Sequence, residues 1–166
     1  EEEFVSSLER YDPSTNEWEG GGAVAPMPTA RRSVGTAVLD GKLYAAGGES
    51  EEDGPTSNLV ERYDLATKSW EAVAPMVTPR ENHAVTVLDG KLYAVGGYND
   101  DDQTLSSVER YDPALDAWEA VAPMAAARCS HAVAVLDGNL YALGGYENDE
   151  SEALSSLERY DPVTNA

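Results

Sequence analysis

The sole cysteine of the 166-residue chain, Cys129, and its two histidines, His83 and His131, are the first candidates for nucleophilic or metal chemistry. The histidines stand at equivalent places, opening "HAVTVLD" and "HAVAVLD", where an earlier copy of the segment has Val34. Residues at matching places in neighbouring units can approach one another. A catalytic zinc wants three protein ligands within reach, and two histidines do not meet that count. No Ser-His-Asp order with its supporting context is present. Asp100 to Asp102 are consecutive carboxylates, but the spaced acids, glycine and final glutamate of an EF-hand calcium loop are missing. Paired glycines at Gly47-Gly48, Gly96-Gly97 and Gly144-Gly145 lack the lysine and helix context of a phosphate loop. Gly-Gly at a strand end is better read structurally, as room for an aromatic ring of the next unit to come close. The chain is therefore expected to be non-catalytic, with no metal and no cofactor.

The elements that would position these residues repeat. "LDGKLYAAGG", "LDGKLYAVGG" and "LDGNLYALGG" begin at Leu39, Leu88 and Leu136, 49 and 48 residues apart. "ERYD" recurs at Glu9, Glu61, Glu109 and Glu158, "APM" at Ala25, Ala74 and Ala122, and tryptophan at Trp18, Trp70 and Trp118. A period of this size decides the fold before any local signal does. Each unit reads as four short strands. A β-branched strand leads through Asp-Gly, a strong two-residue hairpin signal, into "KLYAVGG". A variable acidic loop follows, then "SSVERYD", a turn opened by Asp, and "WEAVAPM", where proline ends the ladder. No stretch keeps a helical period. One four-stranded sheet cannot bury both faces; stacking successive sheets would bury the Tyr and Trp side chains between them.

These motifs give the chain its resemblance to the kelch repeat family, whose mark is a double glycine followed by a tyrosine and, about seven residues later, a tryptophan. Gly47-Gly48 leads to Tyr63 and Trp70, and Gly96-Gly97 to Tyr111 and Trp118; Gly144-Gly145 leads to Tyr160 with no tryptophan after it. The resemblance covers essentially the whole chain. It implies an all-β fold, a kelch-type β-propeller most often of six blades, that binds a partner on one face. In many relatives that partner is a protein substrate presented to a ubiquitin ligase. Here the chain holds about three blades, a half-propeller: residues 1–27 give the third and fourth strands of a split blade, 28–76 and 77–124 two full blades, and 125–166 the first three strands of another split blade. Three blades do not close a ring. The expectation is a homodimer that completes a six-bladed ring head to tail. "SSLERYD" occurs at both ends, from Ser6 and from Ser155, so one copy is surplus to a closed ring. A second departure is "WEGGGAVAPM" against "WEAVAPM" elsewhere: three extra residues, Gly20 to Gly22 among them, suggest a bulge or a loosened edge.

Charge narrows the partners. The formal net charge is −20, which opposes binding to nucleic acid or anionic lipid and would draw a basic peptide or protein face. No apolar run is long enough to cross a membrane, and the chain opens on three glutamates rather than a signal sequence. A single cysteine allows no internal disulfide, which favours an intracellular setting.

Invariance and variation between units separate structure from binding. Arg31, Arg80 and Arg128 each lie four residues after the "APM" methionine, and the "ERYD" glutamates recur in register; identical placement argues for ion pairs between or within blades. The residues just after those arginines vary: Arg32-Ser33, Glu81-Asn82, Cys129-Ser130. So do the residues after the glycine pairs, Glu49, Tyr98 and Tyr146, and the loops beyond, with Gln103 in the second. These ten residues form the expected ligand-binding face. In kelch relatives the corresponding loops use Ser, Arg, Tyr and Gln to grip an acidic peptide. Ser33, Ser130, Tyr98, Tyr146 and Gln103 match those types, but most basic partners are absent and the loops are acidic, so a basic ligand fits better. The first functional reading is a non-catalytic protein- or peptide-binding scaffold that closes by dimerising. A second is a designed or trimmed propeller fragment with no physiological ligand. A third, a metal-dependent kelch-like enzyme, lacks a visible ligand constellation.

Overall fold

The Asp-Gly hairpins are the simplest part of the structure. In a computed structural model that describes residues 6–20, 24–50, 54–101, 103–148 and 151–166, Asp40 and Gly41 both take positive φ, 50° and 72°, as do Asp89-Gly90 and Asp137-Gly138. Such a turn twists with its strands and so sets a tight hairpin. Each joins the first two strands of a unit: β3 (Gly35–Leu39) to β4 (Lys42–Ala46), β7 (Ala84–Leu88) to β8 (Lys91–Val95), and β13 (Ala132–Leu136) to β14 (Asn139–Leu143).

The third and fourth strands follow by a second kind of turn. The aspartate that ends "ERYD" accepts a hydrogen bond from the backbone N–H two residues on, as Asp64 does from Ala66 and Asp112 from Ala114. This side-chain turn returns β5 (Val60–Asp64) into β6 (Ser69–Val73) and β11 (Val108–Asp112) into β12 (Ala117–Val121). The fourth strands stop at Val73 and Val121, short of the expected "WEAVAPM" end. The backbone N–H of Met76 turns instead to the carbonyl of Asn58, and that of Met124 to Ser106.

The result is two four-stranded antiparallel sheets, β3-β4-β5-β6 and β7-β8-β11-β12, and a three-stranded sheet, β13-β14 with β15 (Leu157–Tyr160). A two-stranded ladder precedes them, β1 (Arg10–Asp12) with β2 (Glu17–Glu19), and β9 (Tyr98–Asn99) with β10 (Gln103–Thr104) makes a small ribbon inside what the sequence marks only as a variable acidic loop. No element among the described residues is helical. Both copies of "ERYD" at the chain ends are strands: β1 pairs with β2, and β15 lies beside β14. The bulge expected at Gly20 to Gly22 falls largely outside the described residues.

The core lies between sheets, not within them. One cluster joins Leu39, Tyr44, Ala46 and Val60 to Met76, Leu92, Ala94 and Tyr111; the next joins Leu88, Tyr93, Val95 and Val108 to Leu140, Ala142 and Tyr160. Tyr44 meets Tyr111 with ring centroids 6.0 Å apart, and Tyr93 meets Tyr160 at 5.9 Å, tilted contacts of the favourable kind. Trp70 and Trp118 pack beside the tyrosines of their own sheets and donate their indole N–H at 2.9 Å to the carbonyls of Ala25 and Ala74 in the preceding units. The first strands stand innermost, β3 against β7 and β7 against β13.

Candidate functional site

The site is built outward from a buried arginine. The Arg80 guanidinium donates at 2.7 Å to the carbonyl of Gly96 and at 2.7 Å to the Glu109 carboxylate. Arg31 does the same with Gly47 and Glu61, and Arg128 with Gly144 and Glu158. All three arginine side chains are closed to solvent. Glu109 also accepts the N–H groups of Val77 and Thr78, and Glu158 those of Ala125 and Ala126. Every partner belongs to the same unit, so the repeated ion pair ties a blade to itself. Burial pulls Arg80 and Arg31 below the ordinary arginine value, against the opposing pull of their glutamates. A pair this buried fixes register because either charge alone would be stranded.

With each arginine pinned, the next two residues emerge at one end of each sheet. There they bridge to the residue after the glycine pair: Arg32 to Glu49, Glu81 to Tyr98, and Cys129 to Tyr146. The bridges link in turn, since Asn82 donates its N–H to the carbonyl of Ser33, and Ser130 donates to Asn82. Ser33, Asn82 and Ser130 all take left-handed backbone, φ 54°, 48° and 51°. A conformation unusual for non-glycine residues thus recurs in every unit although the side chain changes, a feature no sequence signal announces. The glycine pairs permit the close approach. The Gly48 N–H binds the Arg80 carbonyl and the Gly97 N–H that of Arg128. A Cβ on Gly47 would lie 2.3 Å from the Arg80 carbonyl oxygen and 2.8 Å from His83 Cε1. The expected close neighbour, an aromatic ring of the next blade, is present as the His83 imidazole, but the nearest atom is a backbone carbonyl, because the next unit's inner edge, not its tyrosines, abuts the strand end.

Between the second and third bridges opens a cleft of about 380 Å³ lined by Glu81, Asn82, Tyr98, Cys129, Ser130 and Tyr146. Six of the ten residues expected on the binding face therefore share one cavity. Arg32 and Glu49 form the adjoining bridge and a 2.7 Å ion pair. Ser33 meets Asn82 through its backbone, and Gln103 stands on the β9–β10 ribbon opposite Asn99, outside the lining. Partial burial holds the Glu81 carboxyl above its usual range; Glu49 and Asp100 push the same way and Arg32 opposes them.

The residues singled out for chemistry have other surroundings. The Asp100 carboxylate accepts the backbone N–H and the hydroxyl of Thr56, clasping two adjacent loops; Asp102 lies outside the described residues. The long spacing of that clasp hid it from the sequence. Cys129 is buried, its Sγ 3.6 Å from the Tyr146 carbonyl. His83 and His131 are wedged against glycines of the neighbouring units, and among the described residues neither ring finds a hydrogen-bond partner for either nitrogen. Burial brings His83 down to about 3, helped by Arg80, His131 and Arg31, and His131 down to about 4, helped by Arg128. Among the described residues no three His, Cys, Asp or Glu side chains are grouped to hold a metal ion.

Comparison with known families matches residues 1–166, the whole chain, to the KLHDC2/KLHL20/DRC7 Kelch-repeats domain. The chain belongs to the kelch repeat family. Kelch-like protein 35 of Mus musculus is 38% identical over 66 residues, 40% of this chain and 11% of that protein. Kelch-like protein 23 of Homo sapiens is 36% identical over 63 residues, 38% of this chain and again 11% of the relative. The matched kelch segment is thus about a tenth of those relatives' length. Among solved structures, that of YjhT superposes with a TM-score of 0.79 at 19% identity, covering 94% of this chain and 56% of that one. That likeness speaks for the fold alone: an all-β kelch propeller architecture with antiparallel sheets set side by side.

Proposed function

We propose that this kelch chain is a non-catalytic scaffold that binds a protein or peptide on the rim built from the three bridged segments. The observation that carries the reading is the cleft between Glu81-Tyr98 and Cys129-Tyr146. It is lined by the positions that vary between units, while the positions beneath it, arginine, glutamate and paired glycine, do not vary. A scaffold held constant with side chains exchanged at one end is how a repeat protein presents a binding surface. The excess of carboxylates favours a basic ligand. The test is selection of peptides from a displayed library, followed by rim and control substitutions. Ser130→Arg and Tyr98→Ala should weaken the selected peptides at least about tenfold, while Asp89→Arg, at a hairpin tip, should not. Peptides indifferent to both rim changes would defeat the proposal.

The reading includes assembly of two chains into one ring. It is supported by faces that are covered elsewhere in the molecule and bare at its two ends. Trp18 is 68% exposed and Tyr11 42%, whereas Tyr63 and Tyr111 are buried. At the other end Leu136 is 61% exposed against 3% for its counterpart Leu88, and Leu157 58% against 4% for Val108. A second copy would lay its first sheet on the bare face of β13–β15, as each unit already does with the next.

A further inference from the structure

We propose that the cleft between Glu81-Tyr98 and Cys129-Tyr146 is a subsite for a single arginine side chain of the partner, with Glu81 taking the guanidinium and the two tyrosines flanking its plane. This rests on the reading of the rim as a binding face and names what that face selects. Among the described residues the lining holds one carboxylate, two phenol rings, an amide, a hydroxyl and a thiol, and no lysine or arginine. Arg32 on the adjoining bridge is engaged with Glu49 at 2.7 Å. Glu81 sits partly buried near Glu49 and Asp100, and its carboxyl is held above the usual range by burial and by those like charges, against the partial pull of Arg32. A cation entering the cleft offsets the repulsion and stabilises the ionised form.

Guanidinium suits the space better than ammonium. It is planar and weakly hydrated, can bind a carboxylate through two N–H groups, and stacks on aromatic faces. Tyr98 comes from one unit and Tyr146 from the next, so each of the two units contributes a tyrosine to the lining. A net charge of −20 adds a long-range pull toward cationic segments.

The experiment records amide shifts of the labelled protein on titration with N-acetyl-arginine amide, its uncharged isostere N-acetyl-citrulline amide, and N-acetyl-lysine amide at low salt. The arginine compound should move the Glu81, Tyr98 and Tyr146 signals, with citrulline at least about tenfold weaker and lysine in between. Glu81→Gln and Tyr146→Ala, each checked by thermal unfolding to be folded, should each cost the arginine compound at least about fivefold. Equal binding of citrulline, an unchanged Glu81→Gln titration, or shifts confined to residues outside the cleft would overturn the subsite. Library peptides that depend on Tyr98 and Ser130 but carry no arginine would overturn it while leaving the rim reading intact. Peptides that ignore the rim altogether would remove both.

Discussion

Glycine at two places does two different jobs, and the neighbours decide which. Gly41 completes a turn at positive φ with nothing within 4 Å of a would-be Cβ. Alanine there should cost roughly 1–2 kcal/mol, the left-handed penalty alone. Gly47 shares the positive φ but faces the Arg80 carbonyl at 2.3 Å, a backbone atom that cannot swing aside. Gly47→Ala should therefore cost at least about 3 kcal/mol and separate the inner edges of two units. Urea unfolding of the two variants measures the contrast; equal midpoints would mean that the contact is not limiting. The role of the paired glycines as a place of close approach was legible from their position at a strand end. The identity of the intruding atom was not, because a carbonyl carries no residue type.

The junction between two β elements holds a titratable group with no hydrogen-bond partner among the described residues. His83 lies between Gly35 and Gly47 of one unit and Gly97 of its own, and the charged groups that bear on it, Arg80, Arg31 and His131, are all basic. Its folded-state value, about 3, lies below the ordinary 6.5. The unfolded chain therefore binds the proton that the folded chain refuses. Stability is complete above pH 6.5 and falls as pH drops from there toward 3, by up to about 1.4 kcal/mol per pH unit from this group. His83→Val, which copies Val34 of the first unit, should flatten that acid slope in a series of melts at stepped pH. An unchanged slope would show that carboxylates, not the junction, govern acid unfolding. From the sequence the two histidines could be seen to occupy matching places; only packing reveals that those places lie at buried seams, where an imidazole serves as an awkward apolar ring.

At the scale of the whole molecule, the two end faces are bare. With two copies closing one ring, the mass at micromolar concentration should be about twice 17.8 kDa. Trp18→Ser should shift the chain toward monomer, since it removes the largest exposed ring of the joining face. Sedimentation equilibrium checks both; a stable single chain at micromolar concentration would end the two-copy account. In the single chain β15 takes the place beside β14 that the partner's β1 would claim. In a two-copy ring the twin "SSLERYD" segments would compete for one edge, and one of them would have to be displaced.

The repeat, its hairpins, its all-β character and the kelch membership were determined by the sequence itself. They rest on local rules: which residues tolerate positive φ, which alternate along a strand, and how often a pattern returns. The tertiary structure alone decided that Arg80 pairs within its own unit, that Asp100 clasps Thr56, and that Glu81, Tyr98 and Tyr146 share a cavity. Those groupings join residues far apart in the chain. They come from how one twisted sheet settles on the next, a relation that the order of residues along a strand does not contain.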